Sequence, residues 1–148
     1  MSRKEQFERA AKIEETLRAI YIRIKREGRK VLKDFPITPA QFDVLQILYF
    51  SGSKRMSDMS RMLGITKSTT TGLVKRLIEG GFIEKKRSDE DKRSYIIDIS
   101  QEGVKLIEKV IEQRVNYLYE ILLELKSHKP EDLLKMLGEL LNAMKKSG

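Results

Sequence analysis

Apolar and polar residues near the start of the chain alternate with the spacing of a helix that buries one face. Between residues 5 and 34 the apolar positions recur three or four residues apart, which predicts a long first helix. The opposite face is mainly Arg, Lys and Glu, so it is expected to face water. The apolar face contains Phe7, Ala10, Ile13, Leu17, Ile20, Tyr21 and Ile24.

Capping signals mark the starts of three more helices. Thr38 precedes a proline and stands three residues before Gln41, the pattern of a capping box with proline in the first helical position. Ser100 is expected to cap a long helix, and Pro130 to open the last one. Together these signals predict helices over residues 38–50, 101–126 and 130–146.

Two shorter helices are predicted between these elements, in a helix-turn-helix arrangement. Ser57 is expected to cap a short helix that ends at the Gly64 turn, and Thr66 to cap a helix over residues 67–79. The glycines at 80–81 end this second helix, since glycine accepts the left-handed conformation that closes helices.

The periodicity changes from helical to alternating after Phe82. The segments "FIEKKR" and "YIIDIS" are rich in β-branched and aromatic residues and predict two strands joined by the charged segment 88–94. The fold class is therefore mainly α with a small β-hairpin. Because the hairpin directly follows the second helix of the helix-turn-helix, it can lie beside that helix as a wing.

The length of the chain favours one domain, residues 1–148, with a winged helix-turn-helix core over residues 36–100. The first and fifth helices would each be about 40 Å long, whereas the core is about 25 Å across. Their apolar stripes therefore extend beyond the core, and residues 1–35 and 101–148 are expected to pair with a second copy in a homodimer. A monomeric helical bundle is the alternative.

Composition and charge narrow the function. The chain has 30 Lys and Arg against 22 Asp and Glu, a formal net charge of +8, which favours a polyanion such as nucleic acid as partner. The absence of cysteine excludes disulfides, thiolate zinc sites and thiol redox sensing. The charged N-terminus and the lack of a long apolar run predict neither a signal peptide nor a membrane span, so a cytoplasmic protein is expected.

The exposed face of the predicted 67–79 helix has the chemistry of a DNA-reading surface. It combines small hydroxyls with cations and has no acid before Glu79, whereas a merely solvated face usually mixes Glu with Lys. Thr70 and three aliphatic residues form its inward face. The residues expected to contact duplex DNA are Lys67, Ser68, Thr69, Thr71, Gly72, Lys75 and Arg76.

Basic residues on the wing could reach phosphates or the adjacent minor groove. Arg93 is the proposed DNA-reaching side chain, because arginine suits a narrow minor groove, and Asp91 either pairs with it or accepts hydrogen bonds from the turn. The wing residues expected at DNA are Lys85, Lys86, Arg87, Asp91, Lys92 and Arg93.

Over nearly its whole length the chain resembles the MarR family of dimeric winged-helix regulators. The most specific match is the wing pattern of Asp91, Arg93, Ile97, Ile99 and Ser100, preceded by "LVKRLIEGGFIEKKR". The resemblance implies a homodimer that binds an inverted-repeat operator as a repressor. It also implies release when a small aromatic or anionic effector settles between the dimer helices and the winged domain.

The chain departs from this family at two positions of the predicted 67–79 helix. Many members have a basic or larger polar residue where Gly72 stands and an aliphatic residue where Thr70 stands, so the family's rules for reading bases are not carried over. An effector pocket could be lined by aromatic residues between helices, although such residues also serve as core. The candidates are Tyr21, Phe42, Tyr49 and Tyr117.

Neither a metal nor a cofactor is expected. His128 is the only histidine and is interpreted as a solvated loop residue, which leaves too few ligands for a metal sensor. The sequence has no phosphate-binding glycine loop and no paired acids in an apolar setting, so an enzyme is not expected. The leading hypothesis is a sequence-specific transcription regulator; the alternative is a winged-helix protein-interaction module without DNA binding.

Overall fold

A computed structural model describes residues 1–87 and 95–148. These residues form six α-helices, a short 3₁₀ helix and a small antiparallel sheet, which confirms the predicted fold class. The chain divides into two compact units, Met1–Arg114 and Val115–Gly148, which are described separately. The elements are α1 (Arg3–Arg29), a 3₁₀ helix (Lys30–Asp34), α2 (Pro39–Ser51), β1 (Lys54–Arg55), α3 (Met56–Leu63), α4 (Lys67–Glu79), β2 (Ile83–Arg87), β3 (Tyr95–Ile99), α5 (Gln101–Leu122) and α6 (Pro130–Ser147).

The capping predictions for α2 and α4 are confirmed. The Thr38 hydroxyl accepts a hydrogen bond from the Gln41 amide at 3.2 Å, and the Gln41 side chain accepts one from the Thr38 amide at 3.1 Å. The Thr66 hydroxyl accepts from the Thr69 amide at 3.2 Å. Gly64 closes α3 in the left-handed region, with φ +68°. These short-range signals set the start of α2, the end of α3 and the start of α4.

Other predicted boundaries need correction. Ser57 does not cap α3, because the chain is paired as a strand through Arg55 and the helix begins at Met56. The first helix ends at Arg29 and tightens into the 3₁₀ helix, so its predicted end at 34 is too late for an α-helix. The fifth helix ends at Leu122 rather than at 126.

The sheet has the strand order β1-β3-β2, with β3 antiparallel to both neighbours. The β2–β3 hairpin was predicted, but β1 was not. Lys54 lies opposite Ile97 and Arg55 opposite Ile96, so this two-residue strand attaches the start of α3 to the middle of β3. The strand that leads into the helix-turn-helix therefore belongs to the same sheet as the hairpin.

The core of the first unit lies between α2, α3, α4, the sheet and the first turns of α5. Gly103 allows α5 to approach the hairpin closely, because an added Cβ would lie 2.3 Å from the carbonyl oxygen of Phe82. None of the helices that the structure describes combines the length and the apolar content that crossing a bilayer requires. The buried apolar residues are Leu32, Ile37, Phe42, Val44, Leu45, Leu48, Met59, Val74, Leu77, Ile83, Ile97, Leu106, Ile107 and Val110.

Candidate nucleic-acid interface

Helix α4 has one buried and one exposed face, as the sequence predicts. Thr70, Val74 and Leu77 are at most 4% exposed and anchor the helix in the core. This anchoring turns all seven predicted recognition residues to the surface. The exposed residues are Lys67, Ser68, Thr69, Thr71, Gly72, Lys75 and Arg76.

The first turn of α4 carries a cluster of hydroxyls. The Thr66 hydroxyl lies 2.8 Å from the Thr69 hydroxyl and 3.2 Å from that of Ser68. The Thr71 hydroxyl donates to the carbonyl oxygen of Lys67 at 2.8 Å, which leaves its lone pairs available to an outside donor. Because the first turn has no acid, the positive end of the helix dipole is not neutralised there. This end of the helix therefore favours anionic groups.

The cations of this face are available to an outside partner. Among the residues that the structure describes, Lys67, Lys75 and Arg76 take part in no ion pair. Among the described residues, none would lie within 4 Å of a Cβ added on Gly72, so the described packing does not require glycine at this position. The surface beside Gly72 is open to the close approach of another molecule.

The basic residues in the described part of the wing have different neighbours. Lys85, Lys86 and Arg87 are all exposed on β2. The Lys85 ammonium lies 4.0 Å from the centre of the Tyr95 ring, whereas Lys86 lies 3.9 Å from the carboxylates of both Glu84 and Asp98. Part of the charge of Lys86 is thus balanced within the sheet.

Three predicted wing residues lie outside the described residues. These residues are Asp91, Lys92 and Arg93.

A groove of about 490 Å³ separates α4 from the sheet. Its walls are largely apolar, and its lining includes Thr71 and Lys75 of α4 and Lys85 of β2. The two elements predicted to contact DNA therefore border one depression. Its described lining is Met56, Thr71, Val74, Lys75, Ile78, Glu79, Lys85, Tyr95 and Ile97.

The aromatic residues proposed for an effector pocket lie in different environments. Phe42 is 2% exposed and belongs to the core, and Tyr49 packs against that core with its ring edge-on to Phe50. Tyr21 is 57% exposed on α1. Tyr117 lies in the second unit, where it is half-buried. An effector pocket built from these residues stays a prediction.

Ser60 is a residue that sequence reasoning missed. It is buried on α3, and its hydroxyl lies 2.8 Å from that of Thr70 on α4. The only sequence signal was that Thr70 is polar on an otherwise apolar face. Within the described residues, no group of three or more His, Cys, Asp and Glu side chains is placed to hold a metal ion, and His128 is exposed.

Comparisons with known proteins agree with this geometry. A profile of the MarR family matches residues 37–95. An uncharacterized HTH-type transcriptional regulator of Bacillus subtilis, YsmB, is 37% identical over 111 residues, which cover 75% of this chain and 76% of that protein.

Two solved structures extend the similarity to nearly the full chain. The transcriptional regulator Tm0710 from Thermotoga maritima is 45% identical with a TM-score of 0.87, and the match covers 93% of this chain and 96% of that one. A MarR family protein from Bacillus stearothermophilus is 29% identical with a TM-score of 0.74, over 99% and 98% of the two chains. On this fold, identity and coverage, the chain belongs to the MarR family of transcriptional regulators.

Proposed function

We propose that this regulator binds a pseudo-palindromic operator in duplex DNA as a homodimer and acts as a ligand-responsive repressor. The observation that carries the proposal is the exposed face of α4. This face presents hydroxyls, together with cations that make no described ion pair, and the first turn of the helix has no acid. Short hydroxyl side chains can reach base edges in the major groove, and the cations can contact phosphates.

The groove between α4 and β2 supports a two-part contact with DNA. If α4 lies in the major groove, β2 and the wing would lie beside the neighbouring DNA backbone. Lys75 and Lys85, which both line the groove between α4 and β2, would then be available to phosphates. Arg93 is proposed to extend this contact into the minor groove.

The alternative function, a protein-interaction module without DNA binding, fits this face less well. A docking helix usually presents an apolar stripe to its partner. On α4 the apolar residues Val74 and Leu77 are buried in the core, and Glu79 stands alone at the end of the helix. The exposed face is left with hydroxyls and cations, which favour a polyanion.

Exposed apolar residues support the homodimer. Helix α6 has no buried residue, although it carries a stripe of leucines. On α1, Phe7 is 75% exposed and Ile13 is 55% exposed. Stripes of this extent on long helices are costly in water and suit burial against a second copy. The exposed apolar residues of α6 are Leu133, Leu134, Met136, Leu137, Leu140, Leu141 and Met144.

Repression and ligand response complete the proposal. A dimer bound across a promoter blocks other proteins from that DNA, and an aromatic or anionic ligand that binds better to a DNA-incompetent conformation would release it. The residues that bind this ligand stay a prediction from the sequence, whose candidates are Tyr21, Phe42, Tyr49 and Tyr117.

Selection of bound duplexes from a random pool tests the proposal. We expect an inverted repeat whose half-sites lie about one helical turn, roughly 34 Å, apart. The control is a variant with Lys67, Thr71 and Lys75 replaced by alanine, which should enrich no sequence while remaining folded by circular dichroism. Enrichment of no common site by the wild-type protein would contradict sequence-specific binding.

A further inference from the structure

Two buried hydroxyls join the helices of the helix-turn-helix. Ser60 on α3 is 6% exposed and Thr70 on α4 is 0% exposed, and their hydroxyl oxygens lie 2.8 Å apart. Each hydroxyl also faces a carbonyl oxygen one turn earlier in its own helix. Ser60 lies 3.1 Å from the oxygen of Met56, and Thr70 lies 2.9 Å from that of Thr66.

The number of protons decides which of these hydrogen bonds forms. The three contacts would need three protons, but two hydroxyls supply only two. If both protons went to the carbonyl oxygens, two hydroxyl oxygens would face each other at 2.8 Å with no proton between them. The carbonyl oxygen of Thr66 already accepts the Thr70 amide at 3.0 Å, so it does not depend on the hydroxyl. The bond between the helices is therefore the one that both favourable arrangements keep.

The Ser60–Thr70 hydrogen bond is directional, unlike the apolar contacts around it. Val74 and Leu77 of α4 are held by apolar contacts, which are not directional. A hydrogen bond instead fixes both a distance and an angle between α3 and α4. Replacing two paired hydroxyls by apolar groups of the same shape usually costs little stability, so stability alone does not explain a buried pair.

We infer that Ser60 and Thr70 are positioning residues, whose hydroxyl pair sets the register of α4 on α3 and thereby its fit to the operator. Lys67 lies one turn before Thr70, and Thr71 follows it directly, so any shift of Thr70 moves both. Direct base contacts depend on such placement, whereas phosphate contacts from long lysine side chains tolerate a shift. Loss of the pair therefore lowers site preference more than general DNA affinity. The inference rests on the proposed DNA binding.

The test compares dissociation constants for the selected operator and for a mixed-sequence duplex at one salt concentration. In Thr70→Val and in Ser60→Ala the remaining hydroxyl can still donate to its own carbonyl oxygen, so both variants should fold. Each should lower the preference for the operator by roughly five- to tenfold, the effect of one hydrogen bond. The double variant should lose no more than either single variant, because all three lack the same bond.

Two further variants separate positioning from a general structural role. Thr70→Ser keeps the hydroxyl and should keep the wild-type preference. Thr16→Val is the matched control, since Thr16 donates to the carbonyl oxygen of Lys12 at 2.8 Å on exposed α1 but joins no second helix. This variant should keep the wild-type preference for the operator.

If folded Thr70→Val keeps the wild-type preference for the operator, or loses equal affinity for both duplexes, the positioning role of the hydroxyl pair is wrong. The proposed DNA binding would not be affected by that result. A wild-type protein with no site preference would overturn the proposed function and this inference with it.

Discussion

The Ser100 hydroxyl donates a hydrogen bond to the carbonyl oxygen of Gly81 at 2.6 Å. Its oxygen also accepts the amide of Gly103 at 3.1 Å, so one side chain both caps α5 and holds the turn that follows α4. The end of α4, the base of the hairpin and the start of α5 are thereby joined at one point.

Ser100→Ala should lower the free energy of unfolding by about 1–2 kcal/mol, because it removes a helix cap and leaves the Gly81 carbonyl without this donor. Urea unfolding measures the change. Ser147→Ala is the control. The described hydrogen bond of the Ser147 hydroxyl goes to the carbonyl oxygen of Met144 at the exposed end of α6, so its effect should stay within about 0.5 kcal/mol. Equal midpoints for both variants would show that Ser100 does not stabilise this junction.

Gly103→Ala should destabilise the protein by about 1–3 kcal/mol, because the new Cβ would lie 2.3 Å from the Phe82 carbonyl oxygen and 2.6 Å from Ile99. Gly138→Ala is the matched substitution in α6, where a Cβ would have nothing within 4 Å. It should raise stability by roughly 0.5–1 kcal/mol. Thermal unfolding of the two variants checks the opposite signs, and a stabilising Gly103→Ala would contradict the described packing.

Gly72→Ala should change stability and DNA binding in opposite directions. The site is open and lies within α4, so alanine should stabilise the helix by roughly 0.5–1 kcal/mol. If the α4 backbone approaches DNA at Gly72, the same methyl group should weaken operator binding. Unfolding and binding titrations on the same preparation measure both. A stabilised variant with wild-type affinity for the operator would show that DNA does not closely approach the backbone at Gly72.

The carboxylate of Glu27 should make stability depend on pH. Its contact with Lys30 at 2.8 Å lowers the pKa of Glu27 below its ordinary value, and Gln113 of α5 donates to the same carboxylate at 3.2 Å. The unfolded chain then binds more protons than the folded one just below that ordinary pKa. This contribution is therefore complete at neutral pH and lost as the pH falls through the lowered pKa.

Glu27→Gln should flatten part of the decline in stability between neutral and acidic pH, which urea unfolding at a series of pH values would reveal. Glu15→Gln, on the exposed face of α1, is the control, because within the described part of the chain the ion pair of Glu15 is a longer, 3.7 Å contact with Lys12. Identical pH profiles of stability for wild type and Glu27→Gln would show that the Glu27 carboxylate does not contribute to the pH dependence.

Local signals in the sequence predicted much of the fold. Thr38 and Thr66 each place a hydroxyl next to an amide only three residues away, so their caps follow from sequence alone. Ser57 looked equally suitable as a cap. It failed because β1 pairs with β3 about forty residues later in the chain, and this nonlocal pairing sets where α3 begins.

The candidate site was predictable to a similar extent. The exposed face of α4 follows from helical periodicity, and all seven of its predicted residues are exposed. The Ser60–Thr70 hydroxyl pair did not follow, because it depends on how α3 crosses α4, which periodicity does not encode. The balance of charge around Lys86 likewise depends on Asp98 of the neighbouring strand.

The most direct test of the central claim is a binding titration of the wild-type protein against its selected operator and a mixed-sequence duplex from 50 to 200 mM salt. Affinity should fall steeply with salt on both duplexes, with a preference for the operator of at least about a thousandfold. Lys75→Ala should reduce the salt slope by about one, whereas Lys12→Ala on α1 should not. Affinity that barely changes with salt, with equal binding to both duplexes, would contradict sequence-specific DNA binding.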